Sequence, residues 1–463
     1  MDPSPILSVS FAVLAAMVGI ACETTDRPQG AVLVVLDTLR ADRLSAVGHD
    51  RPTTPHIDGL AERGVLFENA ISSSSWTLPA MVGLLSGRLP STQIFDGTLQ
   101  TSLVDSLRDA GFATAAFTEG GVVHSEYGLD LGFAEWEQNH ESVFVAGQRV
   151  NNPDGGIEPT FANASAWLRA HASENFFLFV HSYEVHTPYV RDRFVRGVAS
   201  GSLSSPFDVD QVKSIQHGET PLGEGERAWL GALYDGGVAT ADAHVGMLLE
   251  ALEKLGLAET TLVVVTSDHG EDLGERSPTL AGRHGHTLYD ELLRVPLVLY
   301  DPTESFAVRR VATQVQLLDV LPTILERLGV AIPPGVHGLS LVGLLRGARV
   351  AERPAFSAAT RSGPRRFSVR GRRFKLIRNL PRAEVELGPE TPRWELYDLR
   401  DDPRERRNLA NELPEVKARM ATQLGVLRRR ASGLDLEVPA PGSPAQRRQL
   451  EALGYLEPAA PGS

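Results

Sequence analysis

Three apolar runs along the chain each break off at side chains that bind cations. Residues 31–36 (AVLVVL) end at Asp37, with Thr38, Arg40 and Asp42 following. Residues 176–180 (FFLFV) run into HSYEVHTPY, which puts His181 and His186 just past the apolar stretch. Residues 261–272 read TLVVVTSDHGED, an apolar β-branched run that ends at Asp268, His269 and Gly270. Unbroken apolar runs of this length, rich in β-branched residues, predict strands buried on both faces.

Between these runs the apolar spacing turns helical. Ile57, Leu60 and Ala61 predict a short helix stopped by Gly64, and Met81, Leu84 and Leu85 predict another within residues 72–90. Residues 98–117 read as a helix through Leu99, Leu103 and Leu107, followed by the strand FATAAF. Further helices are expected over 158–172, 228–256 and 316–329, and a strand over 295–300 (VPLVLY). Residues 190–225, rich in Ser, Gly and charge, read as an excursion over the rim of a site. No internal repeat is visible. Strands alternating with helices predict an α/β fold: a mostly parallel central sheet with helices on both faces.

From about residue 350 the pattern changes. Arg361, Arg365, Arg366, Arg370, Arg372, Arg373 and Lys375 crowd into alternating strand-like segments, and residues 394–410 are rich in turns. These predict a small C-terminal antiparallel sheet, and residues 413–430 a terminal helix packed on the main domain. The basic run is expected to be a solvated sheet face, with a rim that steers anionic substrates as the second reading. The expected divisions are 1–29, 30–345 and 346–463.

The chain has 463 residues, enough for one large α/β domain and a smaller one, and its net charge of −13 argues against a nucleic-acid partner. A single cysteine excludes an intrachain disulfide. That residue, Cys22, follows an apolar run over 6–21 that is short for a membrane span and suited to a signal-peptide core. The stretch GIAC followed by ETTDRPQG resembles a bacterial lipoprotein signal, although MDPSP ahead of the run carries no Lys or Arg. Export to the cell envelope, with a lipid anchor at Cys22 as the one membrane contact, is the expectation; a plain cleaved signal or an uncleaved anchor are its alternatives.

The strand ends carry the chemistry. A carboxylate and an imidazole at Asp268 and His269, at the carboxyl end of a core strand, sit where open α/β sheets build their sites, and both are good ligands for zinc or manganese. Gly270 is expected to let the chain turn sharply. Asp37 is a second ligand candidate, or else an N-cap for the segment after it. Thr77, two residues ahead of Pro79, is expected at or near a helix N-terminus, where free N–H groups attract anions, or simply as a cap.

Several stretches together resemble one family: VLDTLRADRLSAVG, TTPHIDGLAERGVLFENA, SWTLPAMVGLLSGRLP, FFLFVHSYEVHTPY, YDGGVATADAHVGMLLEALEKLGL, TLVVVTSDHGEDLGE, HGHTLYDELLRVPLVLY and ELYDLRDDPRERRNLA. They look like the sulfatase family of the alkaline-phosphatase superfamily, in family order from about residue 30 to 411. The resemblance implies a metal-assisted ester hydrolase with one divalent cation (Mn, Zn, Mg or Ca), acting on a small anionic ester. It places Asp37, Asp268 and His269 on metal-ligand positions and Thr77 on the nucleophile position, where it would also touch the metal. His186 falls on a substrate-anion position and His284 or His286 on the leaving-group side.

The departures from the family pattern are specific. Thr77-Leu78-Pro79-Ala80-Met81 stands where typical sulfatases carry a Cys-x-Pro-Ser-Arg type motif whose first residue is oxidised to formylglycine. Thr cannot follow that route, because its product would be a ketone with an extra methyl. Met81 occupies the Arg position, Thr38 replaces the second Asp, and the Gly-Lys-x-His motif is not found around 118–125. The constellation is more similar to Thr-nucleophile relatives such as phosphodiesterases, phosphonate-ester hydrolases, and phosphoglycerol or phosphoethanolamine transferases. A degenerate binding protein and a true sulfuric ester hydrolase are the other readings these departures leave open.

Overall fold

The computed structural model describes residues 27–89, 102–139, 142–145, 148–151, 156–359, 361, 363–381, 387–388, 391–431 and 447. The expected signal segment with Cys22, Leu99 and the tail beyond 431 apart from 447 lie outside them. Among the described residues no helix is long and apolar enough to cross a membrane.

At the centre lie the three apolar runs as neighbouring parallel strands: Thr261–Thr266, Gly30–Leu36 and Phe176–Ser182, every residue of each buried. They belong to an eight-stranded sheet in the order Arg310–Val311, Val65–Phe67, Leu297–Tyr300, Thr261–Thr266, Gly30–Leu36, Phe176–Ser182, Ala113–Thr118, Glu135–Gln138. Only Leu297–Tyr300 runs antiparallel to its neighbours. Burial on both faces explains why the central strands lack an alternating pattern.

The two faces build separate cores. Ala31, Leu33 and Val35 pack with Leu78, Met81, Leu103, Leu107, Leu321 and Ile324 from helices Thr77–Ser86, Leu103–Asp109 and Val320–Leu328. Val32, Val34 and Leu36 pack with Ile57, Phe161, Leu233 and Tyr234 from helices Pro55–Arg63, Ile157–Ala170 and Glu224–Lys254. One strand thus serves both layers through its two-residue period.

The C-terminal antiparallel sheet has the order Ala355–Ala359, Arg365–Arg370, Phe374–Leu380, Trp394–Asp398, covered by helix Pro414–Arg430 through Met420 and Leu424. It is stitched to the main domain just ahead of Thr77: Ala358 N donates to Ser73 O (3.0 Å), Ser74 Oγ to Ala358 O (2.8 Å) and Ser357 Oγ to Ser72 O (2.6 Å).

Four expectations need correction. The 295–300 strand is broken at Pro296, which has no N–H to give: Arg294–Val295 pairs with Ala70–Ile71 in a small sheet, and Leu297–Tyr300 joins the large one. His181 lies inside its strand rather than beyond it. The 190–225 excursion contains a helix, Val209–Gln216, capped by the Asp208 side chain on Gln211 N (3.1 Å). The basic run is no solvated face. Lys375 is fully buried with Nζ 2.9 Å from both Asp290 Oδ1 and Glu405 Oε1, and buried Arg370 donates to Asp290 Oδ2 at 2.7 Å. Only Arg372 and Arg373 of the run are exposed.

Candidate metal centre

Strand register brings the ligands together. Val35 lies opposite Thr266 on one side and His181 on the other. Asp37 and Asp268, each two residues beyond that level, therefore leave the carboxyl edge side by side. One ligand atom each from Asp37, Asp268 and His269 lies within 4.8 Å of the others, and all three residues are buried. That spacing suits a shared ion, whose ligands at about 2.0–2.6 Å stand no more than about 5 Å apart.

The hydrogen bonds orient these ligands outward. His269 Nδ1 lies 2.8 Å from Gly270 O, an acceptor only, so Nδ1 carries the proton and Nε2 presents a lone pair. Nε2 faces Asp268 Oδ2 at 3.2 Å and Thr77 Oγ1 at 3.1 Å. Asp268 Oδ1 accepts from Thr38 N (3.3 Å). Asp37 Oδ2 accepts from Thr77 Oγ1 and His181 Nε2, both at 3.2 Å. Asp37 Oδ1 and Asp268 Oδ2 have no hydrogen-bond partner among the described residues. Burial first, and then the charge of Asp268, push the Asp37 carboxyl well above the usual carboxylate range. Two orphaned carboxylate oxygens and an imidazole lone pair, all aimed at one point, fit a divalent cation.

Gly270 serves a different purpose from the one expected. Its φ is not positive; the chain passes so close to the 291–292 backbone that a Cβ would lie 2.0 Å from Glu291 O. Its N–H donates to Leu292 O at 2.9 Å. Thr38 instead carries the strain, at φ 60°, a conformation that costs a β-branched residue about 1–3 kcal/mol. It is held there by Tyr234, whose hydroxyl donates to Thr38 O (2.7 Å). The Thr38 hydroxyl bonds to Asp37 O (2.7 Å), so this residue joins the site through its amide and not as a replacement ligand.

Thr77 is the first residue of a ten-residue helix, after Trp76 in extended conformation (φ −153°, ψ 157°). The whole helix is buried against the large sheet and the helices Leu103–Asp109 and Val320–Leu328, which explains an apolar character on all sides rather than on one stripe.

A second group lies beside this centre. The His284 ring stands 4.6 Å from that of His269 and 4.9 Å from that of His186, centroid to centroid. His284 Nε2 lies 3.2 Å from Arg361 Nη1, which can only donate; Nδ1 therefore gives its proton to Glu271 Oε1 at 3.0 Å. His186 gives Nδ1–H to Thr187 O (2.5 Å). Burial lowers His186 to about 3, His181 to about 4, and His284 well below the ordinary histidine value, so all three are neutral at pH 7. His286 Nε2 lies 3.9 Å from Asp272 Oδ2, and Gly285 between the two histidines has φ +76°.

Sequence reasoning placed Asp37, Asp268, His269, Thr77 and His186 in one neighbourhood with His284 or His286 beside them, and the ring contacts to His269 and His186 are those of His284. It assigned no role to His181 or Glu271, and took Arg361 only as part of a basic run. Glu271 could have been noticed as a further carboxylate in the Asp-His-Gly run. Arg361 gave no signal beyond its place among other arginines.

The family model described as Sulfatase matches residues 29–330, and that of the N-sulphoglucosamine sulphohydrolase C-terminal region matches residues 283–430. Among similar curated proteins, an ulvan-active sulfatase of Formosa agariphila is 27% identical over 73% of this chain and 70% of its own length. A Delta 4,5-hexuronate-2-O-sulfatase of Bacteroides thetaiotaomicron is 26% identical over 86% and 87%. Among solved structures, the phosphonate monoester hydrolase of Agrobacterium radiobacter shares the fold with a TM-score of 0.68 at 21% identity, over 88% of this chain and 97% of that one. With a family match over most of its length and a buried Asp-Asp-His cluster able to hold a metal, the chain belongs to the sulfatase family and is an ester hydrolase of that family.

Proposed function

We propose that the protein hydrolyses small anionic monoesters, phosphate or phosphonate ahead of sulfate, through Thr77 as the nucleophile. The observation that carries this reading is the position of Thr77 Oγ1, 3.2 Å from Asp37 Oδ2 and 3.1 Å from His269 Nε2. The Thr hydroxyl meets the two ligands that would share a cation with Asp268. A bound dication supplies acidity to that hydroxyl, as zinc lowers the pKa of water to about 7.

The residues divide the work. Thr77 attacks the phosphorus or sulfur centre, the bond to the leaving alkoxide breaks, and the proton Thr77 gives up ends on that alkoxide. Water then cleaves the Thr77 ester and returns a proton to Oγ1. N–H groups at the start of the Thr77–Ser86 helix face the charge that builds on the equatorial oxygens. His284 Nε2 is a hydrogen-bond acceptor in this structure, so it can take a proton from the attacking water. A ketone-forming side chain cannot follow the formylglycine route, and Met81 replaces the motif arginine; both favour phosphoester or phosphonate chemistry over sulfate. A panel of nitrophenyl phosphate, phosphonate and sulfate esters tests the order. Turnover of sulfate esters alone would reverse it.

We also propose that the chain is exported and anchored through Cys22, on the strength of the apolar run and the polar stretch after it. Labelling with radioactive palmitate should mark the wild-type protein and not Cys22→Ala; equal labelling of both rejects the anchor.

A further inference from the structure

We propose that a cleft at the junction of the main domain and the C-terminal region binds a tetrahedral oxyanion, inorganic phosphate or sulfate, on Arg294, Arg404 and Arg406. None of the metal-centre ligands lines this cleft, and the inference does not depend on how the ester reaction proceeds.

The cleft holds about 300 Å³, within the range of small-molecule sites. The turn after strand Gly30–Leu36 forms one wall, residues 275–276 and 290–294 another, and the C-terminal loop at 403–406 a third. Six arginines and four carboxylates line it. All four carboxylates already hold a cation. Asp42 and Glu275 bond Arg40 at 2.8 and 2.7 Å, and Glu291 bonds Arg276 at 2.6 Å. Asp290 holds Arg370 and Lys375, which do not line the cleft, at 2.7 and 2.9 Å.

The other three guanidinium groups of the argument make no ion pair with a carboxylate among the described residues. Arg294 gives Nε–H to Glu68 O (2.9 Å) and Arg406 gives Nη2–H to Glu275 O (2.8 Å). The Arg404 side chain makes no hydrogen bond among the described residues. Each therefore keeps N–H donors for a ligand, in a cleft where no carboxylate is left to match them. A guanidinium fork fits the oxygen spacing of phosphate or sulfate and binds it through charge-assisted hydrogen bonds. Arg40 and Arg276 behind them are largely buried, so the charge is screened less than on an open surface.

The junction is already crossed both ways beside the cleft. Arg276 Nη1 donates to Glu405 O (2.6 Å), and Arg406 Nη2 returns the bond to Glu275 O. An oxyanion shared by Arg294 of the main domain and Arg404 of the C-terminal loop adds a third tie.

The test is equilibrium dialysis of the purified protein against radioactive inorganic phosphate at fixed ionic strength, with sulfate as competitor. The double variant Arg294→Gln/Arg404→Gln should bind one equivalent of phosphate fewer than wild type, whatever the metal centre itself binds. Each single variant should weaken that equivalent about 10-fold, as loss of one charge-assisted hydrogen bond does. Phosphate should raise the urea midpoint of the wild type more than that of the double variant. Unchanged circular dichroism and metal content in the variants show that the fold is kept. The same phosphate stoichiometry and affinity in wild type and double variant would overturn the proposal. So would an equal weakening by Arg400→Gln, which removes an exposed arginine outside the cleft and changes only the general charge.

Discussion

His269 and Asp268, adjacent in the chain, turn a lone pair and a carboxylate oxygen toward each other at 3.2 Å, because the His269 proton is already given to Gly270 O. Two acceptors held so close repel unless a cation stands between them. The fold therefore stores a demand for positive charge where the Thr77 hydroxyl also points.

If Thr77 is the nucleophile, Thr77→Ala should lose at least about 10³-fold in kcat on the best ester of the panel, with the melting temperature little changed. Thr77→Ser should retain measurable turnover, and rapid quenching should trap a mass adduct on Thr77 in the wild-type enzyme. Turnover of Thr77→Ala equal to wild type would end the covalent scheme.

Metal binding should depend on pH in a defined direction. In the cation-free protein the Asp37 carboxyl titrates well above its ordinary value, because of burial and of Asp268. A raised folded-state value means stability present at low pH and lost as pH rises, until a cation displaces the proton. The rise in melting temperature on adding manganese should therefore grow from pH 5.5 to pH 8. At a hundred times its Kd the ion should contribute about 2.7 kcal/mol. A manganese shift that is flat across this range would contradict the assignment.

The buried histidines predict the acid limb. His181 and His186 have folded-state values lowered to about 4 and about 3. Their contribution to stability is full above the unfolded value near 6.5 and is lost as pH falls from there toward those folded values, at about 1.4 kcal/mol per pH unit for each excluded proton. His186→Asn should flatten the decline in urea midpoint between pH 6.5 and pH 4.

Lys375 is fully buried against Asp290 and Glu405. Removing it takes the nearest cation from buried Glu405 and leaves Asp290 with Arg370, so Lys375→Ala should cost about 3–5 kcal/mol in urea unfolding. Arg373→Ala, which removes a half-exposed arginine from its pair with Asp398, should cost about 1 kcal/mol or less.

The large sheet was legible because its central strands are buried on both faces and read as uninterrupted apolar runs. Asp37 and Asp268 were legible because each lies just past such a run. The break at Pro296 was visible in principle, since a missing N–H cannot be bridged inside a sheet. Arg361 was not legible: its approach to His284 depends on how the Ala355–Ala359 strand docks beside Ser73 and Ser74, and no local pattern encodes that docking. The same holds for Lys375 and Arg370, whose burial depends on Asp290 and Glu405 meeting them from far along the chain. His186 and His284 were found by type, but their neutrality follows from burial that spacing does not reveal.

The seam between Ser72–Ser74 and Ser357–Ala358 joins residues 284 and 285 positions apart. A ribosome that has made Asp37, Asp268 and His269 has still not made the strand that fastens the corner ahead of Thr77. A premature stop near residue 345 would therefore yield a polypeptide with Asp37, Asp268 and His269 but with the corner ahead of Thr77 unfastened.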